Sequence, residues 1–197
     1  DYLKRNEKNE LLPLIAPPRV RLHYIVQSSY GKYGTAVPVS LVVPELQDGE
    51  SVVVLMGDDC IYRDDNVSEV QRLVEQAADQ SAILGVRVPP EDISRYGVLD
   101  VDGMQYLRRV VEKPKSDNAP SDMINVSKYV MNYRLLKYIE SYVSRDDIVG
   151  EYYITDPINE YIANEGKMVV VPTRGQYLDA GSLEAWVAAN NWLLQHS

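Results

Sequence analysis

Val20, Leu22, Tyr24 and Val26 alternate with more polar neighbours over residues 19–27, a period of two that predicts a half-buried β-strand. Residues 31–34 follow as a glycine-bounded loop, with Thr35 placed to cap a short helix running towards Pro44. Residues 51–56 (SVVVLM) are continuously apolar, the pattern of a parallel strand covered on both faces, and the run breaks at Gly57-Asp58-Asp59. Val67, Val70, Val74 and Ala77 recur at helical spacing over residues 66–78, with Asp65 or Asn66 available as the N-cap. Residues 81–88 predict a further short strand that Pro89-Pro90 stops. Residues 97–101 and 106–112 flank the turn dipeptide Asp102-Gly103 as a hairpin, and residues 123–131 read as another strand. Leu136, Ile139 and Val143 mark a helix over residues 133–143, and Thr155 is placed to cap a second one that tolerates an early Pro157. Residues 168–171 give a last strand. Ser182 caps a terminal helix with Leu183, Trp186, Val187, Asn190 and Leu194 along one side.

Strands alternating with helices predict an α/β layer architecture: a Rossmann-like, mostly parallel sheet flanked by helices, with a β-rich insertion between residues 97 and 131. No repeat or linker divides residues 1–197, so one α/β domain is expected. In open α/β sheets ligands gather at the carboxyl ends of the strands, and Asp58 and Asp59 sit at such an end.

Charge narrows the choice of partner. Twenty Lys and Arg against 29 Asp and Glu leave a formal charge of −9, so the chain repels polyanions and neither nucleic acid nor an acidic membrane surface is expected to bind it. A phosphorylated small molecule remains possible where local cations, amides or a metal offset that repulsion. No apolar run approaches the ~20 residues of a membrane span. Cys60 is the only cysteine, which excludes an intrachain disulfide and makes the reducing cytoplasm the expected compartment. It is expected as a small buried apolar residue. Fifteen Tyr with no Phe predict a core in which each buried phenol needs a hydrogen-bond partner.

Five polar positions could carry chemistry. Asp58, turned out by Gly57 at a strand end, suits a hard cation such as magnesium, which accepts one or two carboxylates alongside phosphate oxygens and waters; as a lone residue, a turn cap is the simpler reading. Asp179, ahead of Gly181, suits either a second metal carboxylate or a helix N-terminal acid. Glu112-Lys113-Pro114 closes a strand. A carboxylate there can take two sugar hydroxyls while the neighbouring ammonium meets a phosphate, although an exposed charge pair is the simpler reading. Gln27 can read a base edge or satisfy loop backbone. His23 and His196 have no partner spacing that suggests a metal or a dyad.

Taken in order, several segments resemble the sugar-1-phosphate nucleotidyltransferases, most closely the bacterial-type UTP–glucose-1-phosphate uridylyltransferases, or UDP-glucose pyrophosphorylases. They are Gln27 with Gly34-Thr35-Ala36, LMGDD at 55–59, YGVLD at 96–100, VVEKPKSDNAPSD at 110–122, INVSKYV at 124–130, GEYYITDPI at 150–158 and YLDAGS at 177–182. The resemblance implies the nucleotide-diphospho-sugar transferase fold, with the insertion binding sugar. It implies attack of a sugar-1-phosphate oxygen on the α-phosphorus of a nucleoside triphosphate. It further implies Mg2+ as cofactor, UTP, glucose-1-phosphate and UDP-glucose as ligands, and a homo-oligomer. Carried onto matching positions, Gln27 would hydrogen-bond uracil, with Gly34 and Thr35 also at the substrate. Asp58 and Asp179 would hold magnesium. Gly97 would let backbone approach the hexose, Glu112 would bind its hydroxyls, and Asn125 with Val126 would line its pocket. Lys113 would meet the sugar phosphate, and the catalytic roles would fall to Lys113 and Asp58.

Two departures accompany the resemblance. The family's glycine-rich GxGTR signature with its following lysine is absent, so the chain is expected to correspond to the later two-thirds of such an enzyme, with negligible turnover as it stands. Lys32-Tyr33 stands where the family has Gly-x beside the nucleobase. The competing expectations are a glycosyltransferase that uses a nucleotide-sugar donor, and a non-catalytic sugar-nucleotide sensor or assembly subunit that kept the pocket.

Overall fold

The computed structural model describes residues 2–11 and 20–196. Its elements, in chain order, are α1 (Tyr2–Arg5), α2 (Ala36–Ser40), β1 (Val52–Leu55), β2 (Asp59–Tyr62), α3 (Glu69–Ala77), β3 (Ser81–Arg87), β4 (Gly97–Val101), β5 (Leu107–Glu112), β6 (Met123–Met131), α4 (Tyr133–Ser144), α5 (Thr155–Ala163), β7 (Met168–Pro172), β8 (Gln176–Asp179) and α6 (Leu183–His196). Six strands form one sheet in the order β5-β4-β6-β3-β7, with β1 also paired to β6, and β2 pairs with β8 in a small second sheet.

The α/β layering is as expected, but the sheet is mixed rather than mostly parallel. β6 runs antiparallel to β1, β3 and β4, and among the described strands only β3 and β7 form a parallel pair. The physical reason is connectivity. A parallel neighbour needs a crossover of a dozen or more residues, usually a helix. The parallel partners β3 and β7 are separated in the chain by the hairpin, β6, α4 and α5, whereas β3 passes to β4 and β5 to β6 without an intervening α-helix.

The sheet separates two apolar layers. The larger contains Ile83, Leu99, Tyr129, Leu136, Ile139 and Ile158, under α2, α4 and α5; the smaller contains Leu73, Leu84, Val126 and Val171, under α3. Alternation along β3, with Ile83 facing one layer and Leu84 the other, is the period-two pleat of a doubly covered central strand. β1 does not have that cover. Val52 and Val54 pack on the larger core while Val53 and Leu55 stand 43% and 50% exposed, so its apolar run overstates its burial.

Other expectations need correction. Residues 20–27 are exposed coil and not a strand; Arg19 lies outside the described residues. A lone run of β-formers with no neighbouring strand satisfies neither its backbone nor its apolar face. Thr35 stands at the N-cap position of α2 but makes no side-chain cap bond; its hydroxyl accepts the Ile154 amide at 3.0 Å. Ser68, rather than Asp65 or Asn66, caps α3 by accepting the Gln71 amide at 3.1 Å, because Asp65 is engaged by Arg63 and Asn66 turns the chain with φ +58°. Thr155 opens α5 as its first residue, not its cap. Ser182 caps α6 through the Ala185 amide, but Leu183, Trp186, Val187 and Leu194 face solvent. That helix docks instead through Trp192, in edge contact with Tyr62 at 5.2 Å. Cys60 is exposed on β2, where the two-residue period turns it outward. The phenols do find partners: Tyr142 donates to Asp156, Tyr152 to the Arg145 carbonyl, and Tyr129 meets the Asn125 amide. Among the described residues no helix is long and apolar enough to cross a membrane.

Candidate functional site

The small β2–β8 sheet brings two distant acids together. Asp59 lies opposite Asp179 in its ladder, and the Ala180 amide donates to the Asp58 carbonyl at 2.9 Å, so Asp58 and Asp179 close one end of it. Both carboxylates converge on Gly181. A methyl group added there would lie 3.3 Å from Asp179 Oδ1 and 3.7 Å from Asp58 Oδ2.

Asp179 is oriented by donors. Tyr96 Oη donates to its Oδ2 at 3.0 Å, the Gly181 amide to its Oδ1 at 2.9 Å, and Arg95 stands 3.6 Å from Oδ2. An ionised carboxylate has about four acceptor sites, so capacity remains on both oxygens. Burial and the neighbouring Asp179 charge push the Tyr96 phenol up to about 12, which keeps it a proton donor across the physiological range. Tyr177 is raised as well, by burial first and then by Asp179. Asp58 is exposed, and its side chain makes no hydrogen bond among the described residues.

Beneath this end of the small sheet lies Lys128 of β6. Its ammonium pairs with Asp59, both side chains under a tenth exposed, and Tyr177 Oη reaches Asp59 Oδ2 at 3.5 Å. Burial pulls the Lys128 ammonium down from its ordinary value, against the charge of Asp58.

A second group lies along β4, β5 and the bulge of β6. Gly97 pairs with Glu112 across the hairpin, and a Cβ at Gly97 would come 3.1 Å from Glu112 Oε1. Thr155 Oγ1 donates to that same oxygen at 2.9 Å. One turn later Asn159 bonds both the amide and the carbonyl of Val110, closing the free edge of β5 and fixing α5 against it. Lys113 follows with φ +42°, its amide bonded to the Tyr96 carbonyl at 3.1 Å, so Tyr96 links the Lys113 backbone to the Asp179 carboxylate. In β6 the register against β3 slips between Ile83 and Gly85, leaving Ser127 at φ +52°. Asn125 Oδ1 accepts the Ser127 amide, and Asn125 Nδ2 donates to Tyr129 Oη at 2.7 Å. Bulges and left-handed non-glycine residues concentrate where a fold re-aims side chains at a site. Gly34, at φ +119°, lies so close to Tyr152 that a Cβ would fall 2.6 Å from its backbone, which leads the Gly34-Thr35 loop to the segment carrying Thr155.

The structure therefore brings together Asp58 with Asp179, and Glu112 with Gly97, Lys113 and Asn125, while Gly34 and Thr35 abut the same segment. It leaves Gln27 apart, exposed in coil. Val126 is 2% exposed, its side chain spent in the smaller core, so it does not line a pocket with that side chain. Tyr96, Lys128, Thr155 and Asn159 are the residues sequence reasoning missed or misassigned. Only Lys128, a charge inside an apolar strand, carried a signal that could have been read. A cavity of about 450 Å3 opens beside Asp179 at the carboxyl ends of the parallel strands β3 and β7, with Arg87, Asp92, Tyr96 and Thr173 in its wall.

A family model described as nucleotidyl transferase matches residues 1–196. A Pseudomonas aeruginosa protein named UTP–glucose-1-phosphate uridylyltransferase is 28% identical over 158 residues, covering 78% of this chain and 56% of its own length. A Streptococcus pyogenes protein named UTP–glucose-1-phosphate uridylyltransferase 1 is 31% identical over 169 residues, covering 80% of this chain and 53% of its own. The chain thus spans about half the length of these relatives. Among solved structures, a UDP-glucose pyrophosphorylase complexed with UDP-glucose superposes with a TM-score of 0.80 at 20% identity, over 98% of this chain and 74% of that one. A UTP-bound UGPase from Acinetobacter baumannii gives 0.77 at 21%, over 98% and 67%. At those identities the likeness is one of fold.

Proposed function

Because this chain belongs to the nucleotidyl transferase family, we propose that it is the sugar- and metal-binding portion of an enzyme joining UTP and glucose-1-phosphate into UDP-glucose and pyrophosphate, with residues 1–197 as one nucleotidyltransferase domain. The observation that carries the reading is the convergence of Asp58 and Asp179 beside Gly181, next to a strand-end cavity and joined through Tyr96 to the Glu112-Lys113 corner.

The donor set fits magnesium. Among the described residues no three metal-binding side chains cluster, and a hard cation that keeps its waters and takes phosphate oxygens asks for one or two carboxylates. Bound between Asp58 and Asp179, it would neutralise phosphate charge as the transferred group moves. In the proposed step an oxygen of glucose-1-phosphate attacks the α-phosphorus of UTP. The bond from that phosphorus to the bridging oxygen breaks, and pyrophosphate leaves with the electron pair. No protein nucleophile is needed, so the chain's own work is to position and to stabilise charge. Glu112, oriented by Thr155, accepts hexose hydroxyls. The Lys113 ammonium, which has no ion-pair partner among the described residues, meets the sugar phosphate, and Asn125 faces the same hexose from the β6 bulge. Tyr96 and Arg95 hold Asp179 in a metal-ready orientation. The Gly34-Thr35 loop approaches the nucleoside. The single thiol suits a reducing cytoplasm.

The test is calorimetric binding of UDP-glucose with and without Mg2+. Asp58→Ala and Asp179→Ala should each abolish the dependence of binding on Mg2+. Lys113→Ala should weaken sugar-phosphate recognition by about 1.5–3 kcal/mol, the scale of a charged hydrogen bond. Equal UDP-glucose affinity in the parent and both aspartate variants, with and without Mg2+, would sink the reading.

A further inference from the structure

Three carboxylates gather at this end of the small sheet, yet only two are aimed at the same point. Asp59 stands directly across the ladder from Asp179, and such opposite pairs place their side chains on one face with Cβ atoms about 4.5–5.5 Å apart. Asp59 and Asp179 are thus neighbours by backbone, with Asp58 adjoining both. The Tyr177 phenol registers all three: its oxygen lies 3.5 Å from Asp59 Oδ2, and it feels the charges of Asp179 and Asp58. Nevertheless the described residues include no cluster of three potential metal ligands. The ammonium of Lys128 rises from the central sheet into contact with Asp59 Oδ1, so that carboxylate is engaged on one oxygen. The Lys128 side chain is 8% exposed and that of Asp59 6%, so separating the pair leaves each charge largely desolvated. The groups facing this pair are Asp58, Tyr177 and, across the ladder, Asp179.

We propose that Lys128 is a specificity-determining residue of the cation site: by holding Asp59 out of it, Lys128 limits the ion to two protein carboxylates. This rests on the reading of Asp58 and Asp179 as cation ligands. The consequence is chemical selectivity. Magnesium is content with two carboxylates and several waters, whereas calcium takes six to eight oxygens in a flexible shell and gains from a third carboxylate. Removing the ammonium also removes a positive charge beside the ion, so both effects have the same sign.

The experiment measures Mn2+, Mg2+ and Ca2+ dissociation constants, from free aquo-Mn2+ resonance and by competition, on the whole chain and six variants. Lys128→Met should tighten Mn2+ by about tenfold and tighten Ca2+ more than Mg2+. Asp59→Asn, which frees the ammonium to lean on Asp58, should weaken Mn2+ by about the same factor. Lys128→Met combined with Asp59→Asn should return affinity and selectivity towards the parent, and Lys128→Arg should retain them. Unchanged or weaker cation binding in Lys128→Met, or no reversal in the double variant, overturns the proposal. Should Lys128→Met not fold, Lys128→Gln, which keeps a donor on Asp59 without the charge, takes its place: unchanged or weaker cation binding there overturns it. Asp58→Asn and Asp179→Asn serve as the separate control. If both bind Mn2+ like the parent, the cation site itself is misassigned, whatever Lys128 does.

Discussion

Tyr96 reaches Asp179 from the start of the hairpin while its own carbonyl holds the Lys113 amide, so a single tyrosine spans the metal and sugar ends of the proposed site. Burial raises both Tyr96 and the fully buried Tyr129 to about 12, above an unfolded value near 10. Between those values the folded state holds protons that the unfolded state has released. The stabilising contribution is therefore complete below pH 10 and lost as pH rises through about 12. Thermal melts should show Tm falling across that window, with tyrosinate absorbance appearing later than in the denatured protein. Tyr96→Phe should remove part of this loss and weaken Mg2+-dependent UDP-glucose binding. None of this was legible beforehand. Asp58, Asp179, Glu112 and Lys113 could be picked out because carboxylates and an ammonium at strand ends are chemically conspicuous, whereas Tyr96 is one of 15 tyrosines and became visible only through its contact.

Caps and ion pairs set the elements in place. Asn132 accepts the Leu135 amide at 2.9 Å and also donates to Tyr161, coupling the start of α4 to α5. Asn132→Ala should cost about 0.5–2 kcal/mol in urea unfolding, near the upper end because both bonds go. Glu69 at the head of α3 is 5% exposed and receives Arg63 from beyond β2, Arg72 from its own helix and the Arg174 amide from the β7–β8 loop. It ties the small sheet to the large one. Glu69→Ala removes the carboxylate that Arg63 and Arg72 share, while Arg63 keeps Asp65, and should cost about 1.5–3 kcal/mol by the same measurement. Sequence periodicity located α3, α4, α5 and α6 to within a few residues, because helical spacing of apolar positions is a local property. It missed β2 and β8, each four residues long and paired only with the other, and it overread residues 20–27, where alternation was present and a partner strand was not.

Across the whole molecule, stability and function occupy different territory. Ile139 is fully buried between α4 and the sheet, so Ile139→Ala should cost about 2–5 kcal/mol, whereas Leu194→Ala, 80% exposed on α6, should stay within about 0.5 kcal/mol in paired denaturant melts. The proposed site lies off that core, in the seam between the central sheet and the β2–β8 pair. By itself the sequence determined the α/β layering, the hairpin at residues 97–112, the candidate carboxylates and the Glu112-Lys113 corner, because apolar period, turn chemistry and residue type are written locally. Only the tertiary structure decided that β6 runs antiparallel through the sheet. It alone decided that Asp58 and Asp179, more than a hundred positions apart, face one point, and that Lys128 pairs with Asp59 beside them. Pairing between distant strands and burial of a charge depend on which surfaces meet in space, and spacing along the chain does not encode that.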